Sequence, residues 1–298
     1  MKRKKWVFLF FIGILAGCLV LSGCGKKGTR DNTPQVLTPA ADGTTTYESA
    51  SAVIDASHSD QGYVMVHYTG SSDKVKLQIT VPSGTVYTYN LGTDWAAFPL
   101  TGDSGDYTLT VLEHAYDNQY TTAFSQTVAV TIANAFGPYL YPSQYVNFNA
   151  SSKAVAKGKD LAANADSDLD VVKNVYDYGT KNITYDSSEA ATVTSDYLPN
   201  VDEILDSGKG ICFDYTALMA AMLRSQNIPT RLEVGYAGSL YHAWISVYTD
   251  ESGWINGVIQ FDGKAWTLMD PTLGANNGNE SVKEYIGDGS NYQTKYVY

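Results

Sequence analysis

Cysteine is scarce in this 298-residue chain, which has three. Cys18 and Cys24 sit at the end of an apolar amino-terminal run, so the body keeps one thiol, Cys212, and no disulfide can form within it. A redox switch through Cys212 is disfavoured for the same reason, because no resolving cysteine exists. Histidine is nearly as rare, with four residues. His58, His67 and His114 fall in the first half, and His242 alone lies beyond them. Those three are dispersed without close ligand spacing, so no metal site and no cofactor are expected. Positive charge is also short: 20 Lys and Arg stand against 31 Asp and Glu, a formal net charge of -11. Such a surface repels phosphate backbones, which argues against nucleic acid as a partner. No internal repeat is evident. What the chain does have is 44% hydrophobic residues and 23 tyrosines, enough for a sizeable core, in a length that suits two domains.

The amino terminus carries Lys2, Arg3, Lys4 and Lys5, then an apolar run from Trp6 to Leu21. This order predicts a signal peptide over residues 1–23. Leu21-Ser22-Gly23-Cys24 resembles the lipobox of bacterial lipoproteins, which implies cleavage before Cys24, lipid on its thiol, and a body tethered to the cell membrane on the extracytoplasmic face. Leu15-Ala16-Gly17-Cys18 fits the same short pattern, but a cut there leaves Leu19 to Leu21 behind and shortens the apolar core. An uncleaved anchor is the alternative, since a span needs roughly 20 apolar residues. Either way the body lies outside the cytoplasmic membrane, and removing four basic residues takes the charge from -11 to -15. A free thiol in oxidising surroundings is a liability unless it is buried or used. Residues 24–49 are rich in Lys, Thr, Pro, Asp and Gly and predict a flexible tether.

Residues 50–135 alternate apolar and polar positions in the runs 63–68, 74–81, 85–91, 106–114 and 124–133, with turn signals between them. Strands at this spacing predict a small β-sandwich of immunoglobulin-like type. Past Phe136-Gly137-Pro138, residues 136–298 form a second domain of α+β class. Ser167 or Asp166 caps a helix that is expected to stop at Gly179, and Asn200 with Glu203 starts a short helix, VDEILDS. Gly208 and Gly210 then let the backbone turn into a helix beginning near Cys212 and stopped by Ile228-Pro229. Strands follow at RLEVGY and YHAWISVY, the latter placing His242, Trp244, Ser246 and Tyr248 on one face. VIQF and KAWTLMD form a hairpin that ends on Asp270.

A thiol at a helix start meets peptide N–H groups without intrahelical partners and the positive end of the helix dipole, which favour a thiolate. Outside the sandwich only His242 can serve as a near-neutral base, and Asp270, on a strand expected beside that of His242, can orient it. The chain order is Cys, His, Asp, and the separations are too long for local contact, so the fold must assemble the three.

GKGICFDYTALMAAMLRSQNIPTR, YHAWISV and WTLMDPT, in this order, resemble the three motifs of the transglutaminase-like superfamily, and the similarity extends back through DLDVVKNVYDYGTKNITYD. It covers roughly residues 150–275. The resemblance implies a papain-like core of helix packed on antiparallel sheet, with Cys212 as nucleophile, His242 as base and Asp270 as its partner. It implies acyl transfer from a carboxamide of a protein, peptide or cell-wall peptide, through a thioester, to an amine or to water. No residue matches the family's side-chain oxyanion donor, which leaves the Cys212 N–H for that role. No stretch matches the calcium sites of animal members. Trp244, Trp254 and Trp266 could line an acyl-donor channel or pack as core. Asp214 resembles the acidic residue common two positions after the nucleophile, and a helix-start charge interaction explains it equally well. A non-catalytic envelope binding or scaffold protein that retains the fold is the competing reading, because an isolated cysteine in an apolar helix is usually core.

Overall fold

A computed structural model of the chain describes residues 28–256, 259–261, 266–268 and 292–298. The expected signal peptide, Cys24 and Asp270 lie outside the described residues. None of the described helices is long and apolar enough to cross a membrane.

The amino-terminal half is two antiparallel sheets of four strands. One has the order β1 (Thr46–Glu48), β2 (Ala52–Asp55), β3 (Tyr63–Tyr68) and then β6 (Ala96–Pro99); the other runs β5 (Val86–Leu91), β4 (Val75–Thr80), β7 (Gly105–Tyr116), β8 (Gln119–Val130). Alternation sets which face is buried: Val75, Leu77 and Ile79 of β4 point inward while Lys76, Gln78 and Thr80 point out. The two sheets share one core, in which Tyr89 of β5 meets Phe98 of β6 edge-on at 5.2 Å. Tyr107 at the start of β7 donates its hydroxyl to the Asp103 carbonyl at 2.9 Å. The five runs expected as strands are β3, β4, β5, β7 and β8; β1, β2 and β6 are additional. His58 pairs with Asp42, His67 stacks on Trp95 and His114 meets the Asp117 carbonyl, so each of these histidines has a separate local partner.

The segment from residue 28, expected as part of a free tether, lies along the body instead. Arg30 pairs with Asp168 and reaches the Gln226 carbonyl, Gln35 N–H donates to Ser225 O, and Ala40 N–H meets the Tyr63 hydroxyl. Its composition is that of a linker, but its polar groups find partners in both halves of the chain.

The second half begins with α1 (Lys153–Ala162) and α2 (Asp168–Asn182). Ser167 caps α2 through a reciprocal pair: Ser167 Oγ accepts from Asp170 N–H, and Asp170 Oδ2 accepts from Ser167 N–H. The helix does not stop at Gly179. A glycine ends a helix when it turns left-handed, whereas Gly179 stays helical because it packs on α5, where a Cβ would come 3.3 Å from the Met219 sulfur. After β9 (Thr184–Tyr185), α3 (Ser187–Thr192) and α4 (Val201–Ser207) comes β10 (Lys209–Gly210), which pairs in parallel with β9. Asn200 caps α4 by accepting from Asp202 and Glu203 N–H, and Gly208 closes it with φ of 64°.

α5 (Cys212–Arg224) is buried from Asp214 to its last residue. A helix apolar all round belongs in an interior. It is sandwiched between α1, α2 and α4 and the antiparallel sheet formed by β13 (Gly253–Ile255), β12 (Leu240–Thr249), β11 (Thr230–Ala237) and β16 (Tyr292–Val297). Each fully buried Leu or Met in it contributes roughly 1.5–3 kcal/mol of transfer free energy. β14 (Ile259–Phe261) and β15 (Trp266–Leu268) pair with each other as the expected hairpin. Among the described residues β15 pairs with β14 alone, and β13 pairs with β12 at Val247–Thr249; the strand end at Asp270 lies outside them.

Candidate active site

Cys212 is the first residue of α5 and is partly buried. The turn that delivers it is fixed by Asp214, whose Oδ2 accepts the Ile211 N–H at 2.8 Å. Gly210 is required there for space: a Cβ would come 2.6 Å from that of Asp214. Gly208 supplies the left-handed residue, so the two glycines expected to share one task divide it.

His242 lies on β12 opposite Gly235 and is 4% exposed. It lines a cavity of roughly 540 Å³ together with Cys212. Five tyrosines stand among the other lining residues, Tyr145, Tyr185, Tyr197, Tyr241 and Tyr298, with Phe213 beside Cys212. Tyr145 packs on Phe213 at 5.4 Å and on Tyr298 at 4.5 Å, and its hydroxyl donates to Thr88 O of the sandwich. Tyr298 in turn meets Tyr87 and Tyr89 of β5 edge-on. One wall of the cavity therefore rests on the β-sandwich. Burial pushes the Tyr145 phenol up to about 12. It also raises Tyr241, helped by its tyrosine neighbours and by the Cys212 sulfur. These hydroxyls are neutral donors at physiological pH.

The tryptophans are elsewhere. Trp244 is 2% exposed, donates Nε1–H to Glu233 and packs edge-on against Tyr292. Trp254 sits against Phe136, Tyr139 and Tyr248 with the Arg231 guanidinium 3.6 Å from its ring. Neither is among the described lining of the cavity, so of the two alternatives for these residues the packing role is the one their contacts match. Strand alternation puts residues on a common face without saying which part of that face is covered. The side chain of Trp266 lies outside the described residues. The tyrosines were the signal passed over: Tyr241 directly precedes His242, yet the others are scattered across the chain.

Asp214 is 1% exposed, and its Oδ1 accepts from the Tyr197 hydroxyl at 2.7 Å. Burial pushes its carboxyl up to about 6 from an ordinary 3.8, more than the Ile211 and Tyr197 bonds pull it down. The folded state thus favours the neutral acid. Its contribution to stability is full below pH about 4 and is lost as pH rises through about 6, a change on the order of 3 kcal/mol. Asp214→Asn, which carries no charge at any pH, is expected to gain on the wild type across that window. Denaturant unfolding at pH 4 and pH 7 measures the gap, and an equal gap at both values would contradict the assignment.

Residues 155–257 match the family model of the transglutaminase-like superfamily, whose members are in general cysteine enzymes. A stretch of 115 residues is 33% identical to the uncharacterized protein YebA of Bacillus subtilis, covering 32% of this chain and 16% of that protein. The chain thus spans well under two thirds of that relative's length. Among solved structures, a candidate cysteine protease from Cytophaga hutchinsonii is 15% identical over 77% of this chain and 69% of its own, with a TM-score of 0.34. Red sea bream transglutaminase is 12% identical over 72% of this chain and 48% of its own, with a TM-score of 0.27.

Proposed function

We propose that the transglutaminase-like domain at residues 155–257, with the segments that close its sheet, is a cysteine acyltransferase or amidase acting on carboxamides of proteins or peptides. The observation that carries this reading is that Cys212, at the start of a buried helix, and His242, on a neighbouring strand, line one cavity. In the proposed reaction His242 takes the Cys212 proton as sulfur attacks the carbonyl carbon, forming an S–C bond. His242 returns that proton to the departing nitrogen as the C–N bond breaks, leaving a thioester. Water or an amine then attacks the thioester, gives its proton to His242, and the S–C bond breaks to regenerate the thiol. The Cys212 N–H at the helix start is the candidate donor to the oxyanion. Asp270 is proposed to hold the imidazole tautomer, on its place in the WTLMDPT motif.

The sandwich is proposed to be immunoglobulin-like: the Tyr107 bond to Asp103 has the form of the tyrosine corner of that fold. A lipid on Cys24 and an extracytoplasmic location complete the proposal, and they rest on the amino-terminal sequence.

Incubating the full chain with envelope extract and a labelled primary amine, followed by mass spectrometry, tests the activity. Amine incorporation identifies a transferase, and new termini or deamidated glutamine a hydrolase. Products that persist with Cys212→Ala, or none with the wild type, would refute the proposal and leave a binding protein.

A further inference from the structure

The cavity around Cys212 has a chemical character that narrows what can enter it. Among its described lining residues there is no Asp, Glu, Lys or Arg; apart from Cys212 and His242 the polar groups are tyrosine, serine and threonine hydroxyls. An ionised group entering such a cleft loses water and meets no opposite charge from the described lining side chains, whereas an apolar ring gains by leaving water and packing on the tyrosines.

One wall of this cleft is the segment after α3, where Val193, Thr194, Ser195 and Tyr197 face the cavity. The segment is held from two sides. Toward the nucleophile, Tyr197 donates to Asp214 at 2.7 Å, and Asp214 holds the turn before Cys212. Toward the sandwich, Asp196 pairs with Lys76 of β4, and Lys76 also donates to Asn90 Oδ1 of β5 at 2.5 Å. Asn90 closes the contact with a long bond to the Asp196 carbonyl, 3.5 Å. Lys76 is an outward-facing residue of the sandwich with 16% of its side chain exposed, so this is a partly shielded contact between domains.

We infer that the cleft at Cys212 selects a neutral aromatic or apolar residue beside the reacting carboxamide, and that Lys76 of the β-sandwich, through Asp196, positions the wall that makes the selection. This rests on the acyl-transfer reading for the word carboxamide; the selectivity of the cleft is a property of the cavity itself. It favours apolar polypeptide segments over peptides rich in carboxylates and free amines. Lys76 and Asp196 are positioning residues that touch no reacting atom.

The test uses the purified chain and three alkylating probes of Cys212: N-benzyl iodoacetamide, iodoacetate and N-(2-aminoethyl)iodoacetamide. Rates are followed by intact-mass spectrometry and divided by the rate of each probe with N-acetylcysteine. The benzyl probe is expected to saturate and to exceed both charged probes at least about tenfold. Overall acidity alone would rank the cationic probe first, and that order would overturn the inference, as would equal rates for all three. With Lys76→Ala or Asp196→Asn the half-saturating concentration of the benzyl probe is expected to rise roughly fivefold, with a smaller change in the limiting rate. The exchanged pair, Lys76→Asp with Asp196→Lys, is expected to restore it. An unchanged half-saturation in both single variants would remove the sandwich from the selection. The probes report on the cavity whether or not the protein turns over. A kept benzyl preference with neither amine incorporation nor hydrolysis products therefore refutes the enzyme and spares the cleft, and activity without the preference does the opposite.

Discussion

Replacing His242 by alanine is expected to lower turnover of a carboxamide substrate by about 10²–10⁴-fold, the usual contribution of a positioned general base. The size of the effect follows from the absence of a substitute. Besides Cys212, the remaining titratable groups in the described lining are tyrosines, and Tyr145 and Tyr241 are pushed by burial away from any role as a base at neutral pH. His242 is 4% exposed, so bulk buffer replaces it poorly. Measurement of kcat for amine incorporation or hydrolysis gives the magnitude. Iodoacetamide labelling of Cys212 at pH 6 gives an independent reading, because labelling that depends on imidazole should slow in the same variant. A loss of less than tenfold in kcat, with labelling unchanged, would leave His242 as an ordinary strand residue.

The second large effect concerns stability. Arg224, the last residue of α5, is 1% exposed and donates to main-chain oxygens alone: Thr230 O from Nε and Nη2, Tyr141 O from Nη1, and Tyr298 O from Nη2. No Asp or Glu side chain pairs with it among the described residues, and burial holds its guanidinium down at about 9. One side chain thus ties α5 to Thr230 at the start of β11, to Tyr141 and to Tyr298 just after β16. Arg224→Ala leaves three buried acceptors short of a donor and opens a cavity. The expected cost is about 3–5 kcal/mol, by analogy with removing one member of a buried charged network. Arg224→Met fills the space and removes the buried charge, so it is expected to cost less than alanine despite making none of the bonds. Urea unfolding of the three proteins at pH 7 orders them; an alanine variant within about 1 kcal/mol of the wild type would show that these bonds are replaced by water.

Several local features could be read directly from the chain because their causes are local. Ser167 with Asp170 and Asn200 before α4 cap their helices through bonds spanning two or three residues. The inward and outward residues of β4 follow from the pleat. Features that depend on a distant neighbour were missed. Gly179 looked like a helix stop, but contact with Met219 keeps it inside α2. Gly210 looked like a flexible joint, but it is a gap left for Asp214. Trp244 shares a strand face with His242 and yet is occupied by Glu233 and Tyr292. β1, β2, β6, α1 and α3 escaped notice; all but α1 are no longer than six residues, too short for a periodic pattern to stand out.

By itself the sequence named the candidates, since it has one thiol after Cys24 and one histidine after His114, which makes Cys212 and His242 the proposed nucleophile and base. Residue type carries that information wherever the residue falls. Tertiary structure alone decided what surrounds the sulfur: tyrosines 145, 185, 197, 241 and 298, and a lysine at position 76 that pairs with Asp196 beside one wall. Such walls are made by burying apolar surface and closing long loops, and those free energies depend on the whole packed arrangement rather than on any stretch of neighbours.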